Sequence, residues 1–287
     1  MEIQSDHNFT KAIYLAREGK LLHSLQILLK LYEQNPEDNF LVLKIAEIYE
    51  KLGNPDSIVN LIDEVNPINL ADEYLLQFAQ IFIRNSFFEK AADLISIVDK
   101  TMFPESYFLK GQSLFFNKEY EFATMNFLEF INNCKQSDIL GEAYQYLAEC
   151  SIIQKKYDTA LQYAEKAESL TVLNPELNFI ISKIYYLKEM HCHAKEYIMK
   201  ALKMNESIKD FQDLAGRIFY ATGDYSKAEK YLKASAENKD DSEIFSLIGL
   251  SCLRQKKSEE ACEFFNKSLK INPNDLIAKS ALADCNK

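Results

Sequence analysis

The chain has 287 residues, 47% of them apolar, and contains only 7 glycines and 6 prolines. It can therefore bury a large core, and its scarcity of helix-breaking residues excludes a disordered chain and favours a mostly helical protein. The formal net charge of −10 would repel a phosphate backbone. We therefore expect no nucleic-acid ligand and instead a protein or peptide partner with basic segments.

Cysteine and hydropathy patterns indicate the compartment. The six cysteines form no Cys-x-x-Cys pair, and free thiols suit a reducing environment. The first residues, MEIQSDHNFTK, lack the basic and apolar regions of a signal peptide, and no later apolar run reaches the length of a membrane span. We therefore predict a cytoplasmic protein that does not insert into membranes.

Two amphipathic helices recur along the chain as a pair. Stretches such as KEYEFATMNFLEF (118–130) and KKSEEACEFFNKS (256–268) contain a small residue followed by apolar or small residues four and seven positions later, which is one face of a helix. A second apolar stripe precedes each of them and ends in a large side chain, such as Phe82, Leu114 or Phe219. We expect these large side chains to lie in the core between helices.

The spacing of these patterns predicts eight repeats of about 34 residues. In chain order they cover residues 5–37, 39–70, 72–104, 104–139, 141–174, 175–208, 209–241 and 242–275, and one further helix over residues 275–286 caps the last open apolar face. The first two repeats depart most from the pattern, since Lys11 occupies an apolar position and Pro55 interrupts a turn. The longer step after the fourth repeat predicts a wider loop from Asn132 to Ser137.

Glycines give an independent check of this register, because six of the 7 fall on two positions of the repeat. One position is the turn, where a positive φ ends the first helix, and the other is the face where two helices approach closely. The turn glycines are Gly19, Gly53 and Gly223, and the packing glycines are Gly111, Gly216 and Gly249.

The combined pattern resembles the tetratricopeptide repeat over nearly the whole chain. Residues 242–275 match it most closely, with Ile248-Gly249, Ala261, Phe265 and Pro273 in place, although Cys252 replaces the usual tyrosine. The resemblance implies an all-α, right-handed α-solenoid of helix-turn-helix repeats over residues 1–287, ending in a C-terminal capping helix. It also implies a non-catalytic protein-interaction scaffold or adaptor that needs no cofactor.

In tetratricopeptide arrays the first helices of the repeats line a concave groove, and ligands contact the positions beside the packed stripe. Carried over to this chain, the resemblance implies the following partner-binding residues: Leu76, Gln80, Ile83, Phe108, Gln112, Phe115, Phe116, Gln145, Glu149, Ile152, Ile153, Phe179, Lys183, Tyr186, Leu187, Arg217 and Tyr220. The asparagines with which co-chaperone arrays grip an acidic C-terminus are missing from the corresponding positions.

Three successive first helices end in apolar pairs, at Phe115-Phe116, Ile152-Ile153 and Tyr186-Leu187. The second residue of each pair occupies a position that is usually polar. This favours a binding patch, with local packing against a neighbouring helix as the alternative.

Acidic residues also open successive first helices, at Glu73, Glu105, Glu142 and Glu176. Compensation of the helix dipole explains them, but they would also face a basic ligand. We therefore predict an apolar, basic-flanked peptide or helix as the ligand.

Two other functions stay open at this point. His191-Cys192-His193 offers three metal ligands in a row and could centre a metal site or an enzyme. Neighbouring residues on a helix point about 100° apart, however, so these side chains should not converge on one ion, and the register places His191 in a packed turn. The other possibility is self-association of the array into a structural scaffold.

Overall fold

The computed structural model describes residues 2–134, 138–237 and 240–285, and within these ranges all regular secondary structure is helical. In chain order the helices are α1 (Glu2–Arg17), α2 (Leu21–Gln34), α3 (Asn39–Lys51), α4 (Pro55–Val65), a short 3₁₀ helix (Pro67–Asn69), α5 (Asp72–Arg84), α6 (Phe88–Ser96), α7 (Glu105–Phe116), α8 (Tyr120–Asn133), α9 (Leu140–Ile153), α10 (Tyr157–Leu170), α11 (Pro175–Leu187), α12 (His191–Met204), α13 (Lys209–Ala221), α14 (Tyr225–Ser235), α15 (Ser242–Arg254), α16 (Ser258–Ile271) and α17 (Leu276–Cys285).

Helices that follow one another pack together over much of the described chain, most extensively within pairs such as α7 with α8 and α15 with α16. This confirms the predicted all-α class and its helix-turn-helix pairs. The last helix, α17, packs on α16, as expected of a capping helix. The chain forms two compact units, residues 1–146 and 147–287, so the division falls within α9.

The turn between the two helices of a pair has one recurring backbone feature. Gly19, Gly53 and Gly223 adopt φ values of 76°, 68° and 81°, as the glycine pattern predicts. Five residues with side chains adopt the same left-handed conformation in the other turns: Ser86, Lys118, Lys155, Glu189 and Lys256. These eight positions are separated by 34, 33, 32, 37, 34, 34 and 33 residues. The repeat is therefore visible in the backbone even where the sequence has no glycine.

The packing glycines lie where the facing helix leaves no room for a side chain. A Cβ atom on Gly111 would come within 2.6 Å of the Phe127 ring, and one on Gly249 within 2.6 Å of the Phe265 ring. Both rings are fully buried. Each aromatic ring of the second helix therefore occupies space that the glycine of the first helix leaves free.

The large side chains that close the first helices are buried to different extents. Phe82 and Phe219 lie in the core, as predicted. Leu114 is only half-buried, so its predicted place in the core is wrong. Tyr49 and Tyr185, at equivalent positions, are also half-buried. The depth of this position therefore differs from repeat to repeat and does not follow the size of the side chain.

Three irregularities of the sequence have simple structural outcomes. Lys11 is exposed, and the adjacent Ala12 is fully buried in its place. Pro55 begins α4 instead of interrupting a turn, because its fixed φ suits the first helical position, and Asn54 caps the helix. Helix α8 continues to Asn133, so the predicted loop does not begin at Asn132; its residues 135–137 lie outside the described ranges.

Candidate functional site

A cleft of about 780 Å³ lies on the first helices of the N-terminal unit. Side chains of α5 and α7 and the start of α9 form it, with additions from the turns between them. Its lining residues are Glu73, Leu76, Gln80, Ile83, Arg84, Ser86, Phe88, Phe103, Glu105, Phe108, Leu109, Gln112, Phe116, Ile139 and Glu142.

Six of the predicted groove residues line this cleft: Leu76, Gln80, Ile83, Phe108, Gln112 and Phe116. Leu76 and Phe108 are nearly fully buried and form its apolar floor. Phe115 and Gln145, also predicted, are half-buried in the same unit and do not line the cleft. The helical register thus identifies the helix faces that form the cleft.

An aromatic cluster forms the edge of the cleft where α5 and α7 end. The ring of Phe116 stacks on that of Phe88, with centroids 5.5 Å apart and an interplanar angle of 18°. It also contacts Phe115 edge-on at 5.5 Å. Phe116 nevertheless remains 44% exposed. One face of the ring therefore packs locally, as the packing alternative expects, and the remainder is exposed, so its part in a binding patch stays a prediction.

Tyr146 supports this cluster from α9 and was not among the predicted residues. Its ring stacks on Phe127 at 5.1 Å and contacts Phe115 and Phe116 at 5.1 and 6.3 Å. Its hydroxyl oxygen accepts a hydrogen bond of 3.3 Å from Gln112 Nε2. Tyr146 therefore joins the buried core to the polar and aromatic sides of the cleft.

Three carboxylates line the opposite edge, where the first helices begin. They belong to Glu73, Glu105 and Glu142, three of the four acids of the predicted row. Gln112 Nε2 donates a hydrogen bond of 3.2 Å to Glu142 Oε1. Surrounding protein atoms desolvate the Glu142 carboxyl and raise its pKa above the ordinary value. The fourth acid, Glu176, lies in the first turn of α11 in the other unit.

The basic residue of the lining, Arg84, is already neutralised. Its Nε donates a hydrogen bond of 2.9 Å to Glu50 Oε1, and its Nη2 donates one of 2.9 Å to Glu50 Oε2. Asn85 Nδ2 donates a further hydrogen bond of 3.0 Å to Glu50. The cleft therefore combines an apolar floor and an aromatic edge with an edge of net negative charge.

The remaining predicted groove residues belong to the C-terminal unit and have varied environments. Ile153 and Leu187 are 46% and 37% exposed, whereas Ile152 is buried. The Arg217 guanidinium pairs with Asp213 at 3.0 Å and with Glu243 at 2.6 Å. The others are Glu149, Phe179, Tyr186 and Tyr220, which are half-buried, and Lys183, which is exposed. A single patch that joins Phe116, Ile153 and Leu187 stays a prediction.

The side chains of His191, Cys192 and His193 at the start of α12 have separate surroundings. The half-buried His191 ring lies 5.5 Å from that of Tyr186, and the exposed His193 ring stacks on Tyr185 at 5.1 Å. Cys192 is exposed. These three side chains do not meet at one point, so the geometry favours packing and solvation over shared coordination.

Replacing His191 by alanine should lower the free energy of unfolding of the C-terminal unit by about 1 kcal/mol, because contact with Tyr186 is lost. Replacing the exposed His193 should change it by no more than about 0.5 kcal/mol. Urea denaturation followed by circular dichroism measures both. Equal losses for the two variants, or stoichiometric zinc that disappears with His193→Ala, would show that the packing interpretation is wrong.

Another set of metal-binding residue types lies between α14, α15 and α16. Ligand atoms of Glu229, Cys252 and Glu260 lie within 4.8 Å of one another. Lysines occupy this site, however: Lys233 Nζ lies 2.6 Å from Glu229 Oε1, and Lys257 Nζ lies 2.7 Å from Oε2. Burial raises the pKa of the Cys252 thiol to about 11, so the thiol stays protonated at neutral pH. The cluster is therefore an ion-pair network.

Comparison with known proteins identifies the repeat in the C-terminal half of the chain. Family models described as tetratricopeptide repeat match residues 175–208 and 213–275. The TPR repeat-containing protein MJ1428 of Methanocaldococcus jannaschii is 33% identical over 134 residues, which are 47% of this chain and 23% of the relative. Human cilia- and flagella-associated protein 70 is 22% identical over 142 residues, 48% of this chain and 13% of the relative. The matched segments thus span less than a quarter of these relatives' lengths.

Solved structures show the same fold. A chain of the APC/C hetero-tetramer Cut9–Hcn1 aligns with a TM-score of 0.65 at 17% identity, covering 100% of this chain and 56% of that one. PilF of Pseudomonas aeruginosa aligns with a TM-score of 0.64 at 14% identity, covering 74% and 97%. YrrB, a TPR protein with an unusual peptide-binding site, aligns with a TM-score of 0.54 at 20% identity, covering 62% and 91%.

The repeated helix pairs and their glycine and aromatic packing agree with these matches: residues 175–208 and 213–275 match the tetratricopeptide repeat family, and the described helices have the fold of tetratricopeptide repeat proteins. Members of this family are generally non-catalytic scaffolds that bind proteins or peptides. Within the described residues, no helix combines the length and the apolar character that crossing a membrane requires.

Proposed function

We propose that this protein is a non-catalytic interaction scaffold and that its N-terminal unit binds an apolar, basic-flanked peptide or helix of a protein partner. The binding site is the cleft formed by α5, α7 and the start of α9. Ligand sites in proteins are typically concave and mostly apolar, with a few polar groups that set orientation. The cleft has this character.

The observation that carries the proposal is the exposed apolar surface inside the cleft. Phe116 keeps 44% of its surface exposed although it stands beside Phe88, Ile83 and the buried floor. An apolar surface of this kind gains free energy when a partner excludes water from it. The carboxylates at the opposite edge favour a partner that carries positive charge. YrrB, of the same fold, has a peptide-binding site.

Replacing Phe116 by serine should weaken ligand binding about 5- to 30-fold, because truncating an aromatic contact residue of an interface often costs 1–2 kcal/mol or more. A labelled synthetic peptide of leucine, phenylalanine and lysine serves as ligand, and fluorescence anisotropy gives the Kd. The thermal midpoint should fall only modestly, since one face of the ring already lies in solvent.

Phe122→Ser is the matched control. Phe122 lies on α8, is 58% exposed and does not line the cleft. This variant should bind the peptide as the wild-type protein does. Equal loss of binding in the two variants would mean that the peptide attaches to apolar surface in general, and the cleft would have to be abandoned as the site.

A further inference from the structure

The positions of the charges in the cleft determine what kind of segment fits it. The carboxylates of Glu73, Glu105 and Glu142 each belong to the first turn of a different helix, α5, α7 and α9. A ligand that crosses these helices therefore meets a carboxylate at each one, along one side of its length. No acid of this row lies at the aromatic edge of the cleft, where Phe88 and Phe116 stack.

The two edges are separated by the length of α7. Glu105 is its first residue and Phe116 its last, and 1.5 Å of rise per residue places them about 16 Å apart along the helix axis. An α-helix with its side chains is about 10–12 Å wide. A helix therefore fits between the two edges while lying on the floor of Leu76 and Phe108.

The cleft also presents three different surfaces to a ligand: an apolar floor, an aromatic edge and an acidic edge. An extended strand projects its side chains in two opposite directions only, so it satisfies two of these surfaces at a time. A helix projects side chains all round and can direct apolar residues to the floor and the aromatic edge and basic residues to the acidic edge.

The distance between basic residues on a ligand helix can match the distance between neighbouring helices of the cleft. Packed helices lie about 8–10 Å apart, and two positions seven residues apart on a helix are separated by about 10.5 Å. Basic residues at every seventh position therefore come near one carboxylate on each helix. Phe103 and Ile139 lie beside the acids and offer apolar contact to the methylene stem of a lysine.

We propose that the cleft binds an amphipathic α-helix of a partner protein whose basic residues form a lengthwise stripe at seven-residue spacing, and not flanks at its two ends. This inference rests on the proposed function for the cleft as the binding site, and it replaces the basic flanks of the ligand by a stripe along one side. The stripe faces Glu73, Glu105 and Glu142, and the apolar face of the ligand helix lies on Leu76, Phe108 and Phe116.

Three synthetic peptides of 18 residues test this arrangement on the full-length chain. The first combines an apolar helical face with lysines at every seventh position. The second has the same composition with the lysines moved to both ends, and the third carries two internal prolines in the first sequence. The first peptide should bind at least tenfold more tightly than the other two, and its helical circular dichroism should increase on binding.

Charge variants test the acidic edge. Glu105→Gln and Glu142→Gln should each weaken binding of the first peptide several-fold and reduce its dependence on salt, because each removes one charge contact. Glu121→Gln is the control, since Glu121 is exposed on α8 and does not line the cleft. It should leave the affinity unchanged.

The outcomes separate this inference from the proposed function. If the end-flanked or proline peptide binds as tightly as the first, and Phe116→Ser still weakens binding, the cleft is a site but the helix with a basic stripe is wrong. If none of the peptides binds, or Phe116→Ser affects none of them, the proposed function and this inference both fail.

Discussion

Replacing Phe127 by alanine should lower the free energy of unfolding of the N-terminal unit by about 3–5 kcal/mol, the usual cost of removing a large buried aromatic side chain. Phe127 is fully buried and stacks on Tyr146 at 5.1 Å with an interplanar angle of 6°. Its ring fills the space above Gly111. Loss of the ring leaves a cavity that Gly111 has no side chain to fill.

Phe122→Ala on the same helix is the control for this substitution. Phe122 is 58% exposed, so its removal should change stability by no more than about 0.5 kcal/mol. Urea denaturation should be fitted with separate transitions where two appear, because the chain contains two compact units. A loss below about 1 kcal/mol for Phe127→Ala would contradict the packing of α7 against α8 described above.

Replacing Glu229 by glutamine should destabilise the C-terminal unit by about 2–3 kcal/mol at neutral pH. Burial alone would raise the pKa of Glu229, but hydrogen bonds from Lys233, Lys257 and Gln255 outweigh it and lower the pKa to about 2. Each pKa unit corresponds to about 1.4 kcal/mol. The glutamine variant also leaves the two lysines without their shared carboxylate.

The direction in which the pKa of Glu229 shifts determines how its contribution to stability changes with pH. The carboxyl has a lower pKa in the folded state than in the unfolded state, where about 4.3 is usual. Its contribution is therefore complete above about pH 5 and is lost as the pH falls towards 2. The difference in stability between wild type and Glu229→Gln should shrink over this range. Glu263→Gln, an exposed residue of α16, is the control; a difference that stays constant with pH would contradict the ion-pair network.

Much of the fold could be predicted because the repeat imposes the same physical requirement many times. Gly111 and Gly249 must accommodate the Phe127 and Phe265 rings, so a glycine and an aromatic residue recur at a fixed separation. The helix-to-helix turns could also be placed, although residues such as Lys256 (φ 64°) adopt the left-handed conformation without being glycine. Leu114 was misplaced because side-chain size alone does not show how deep a position lies.

Residues of the cleft could be predicted only where they belong to the repeating positions of the first helices. Gln80 and Gln112 were identified because they follow the packing residue of a first helix. Phe103 and Ile139 precede α7 and α9, and Phe88 begins α6. Whether their side chains reach the cleft depends on the conformation of the turns between helices, which the helical pattern does not give. Tyr146 was missed because its position carries apolar residues such as Leu109 in other repeats. A tyrosine at a position that is otherwise apolar was the feature of the sequence that could have indicated a contact with the cleft.

Neighbouring residues of α7 belong either to the buried packing or to the cleft. Gly111 and Ser113 are buried in the helix packing, whereas Gln112, between them, lines the cleft. Substitution of Gln112 therefore alters what the cleft presents to a ligand without removing a buried side chain of the helix. In evolutionary terms, a lineage of such proteins can exchange one partner for another by changes at positions like Gln112 and Gln80, while selection on folding acts on their immediate neighbours.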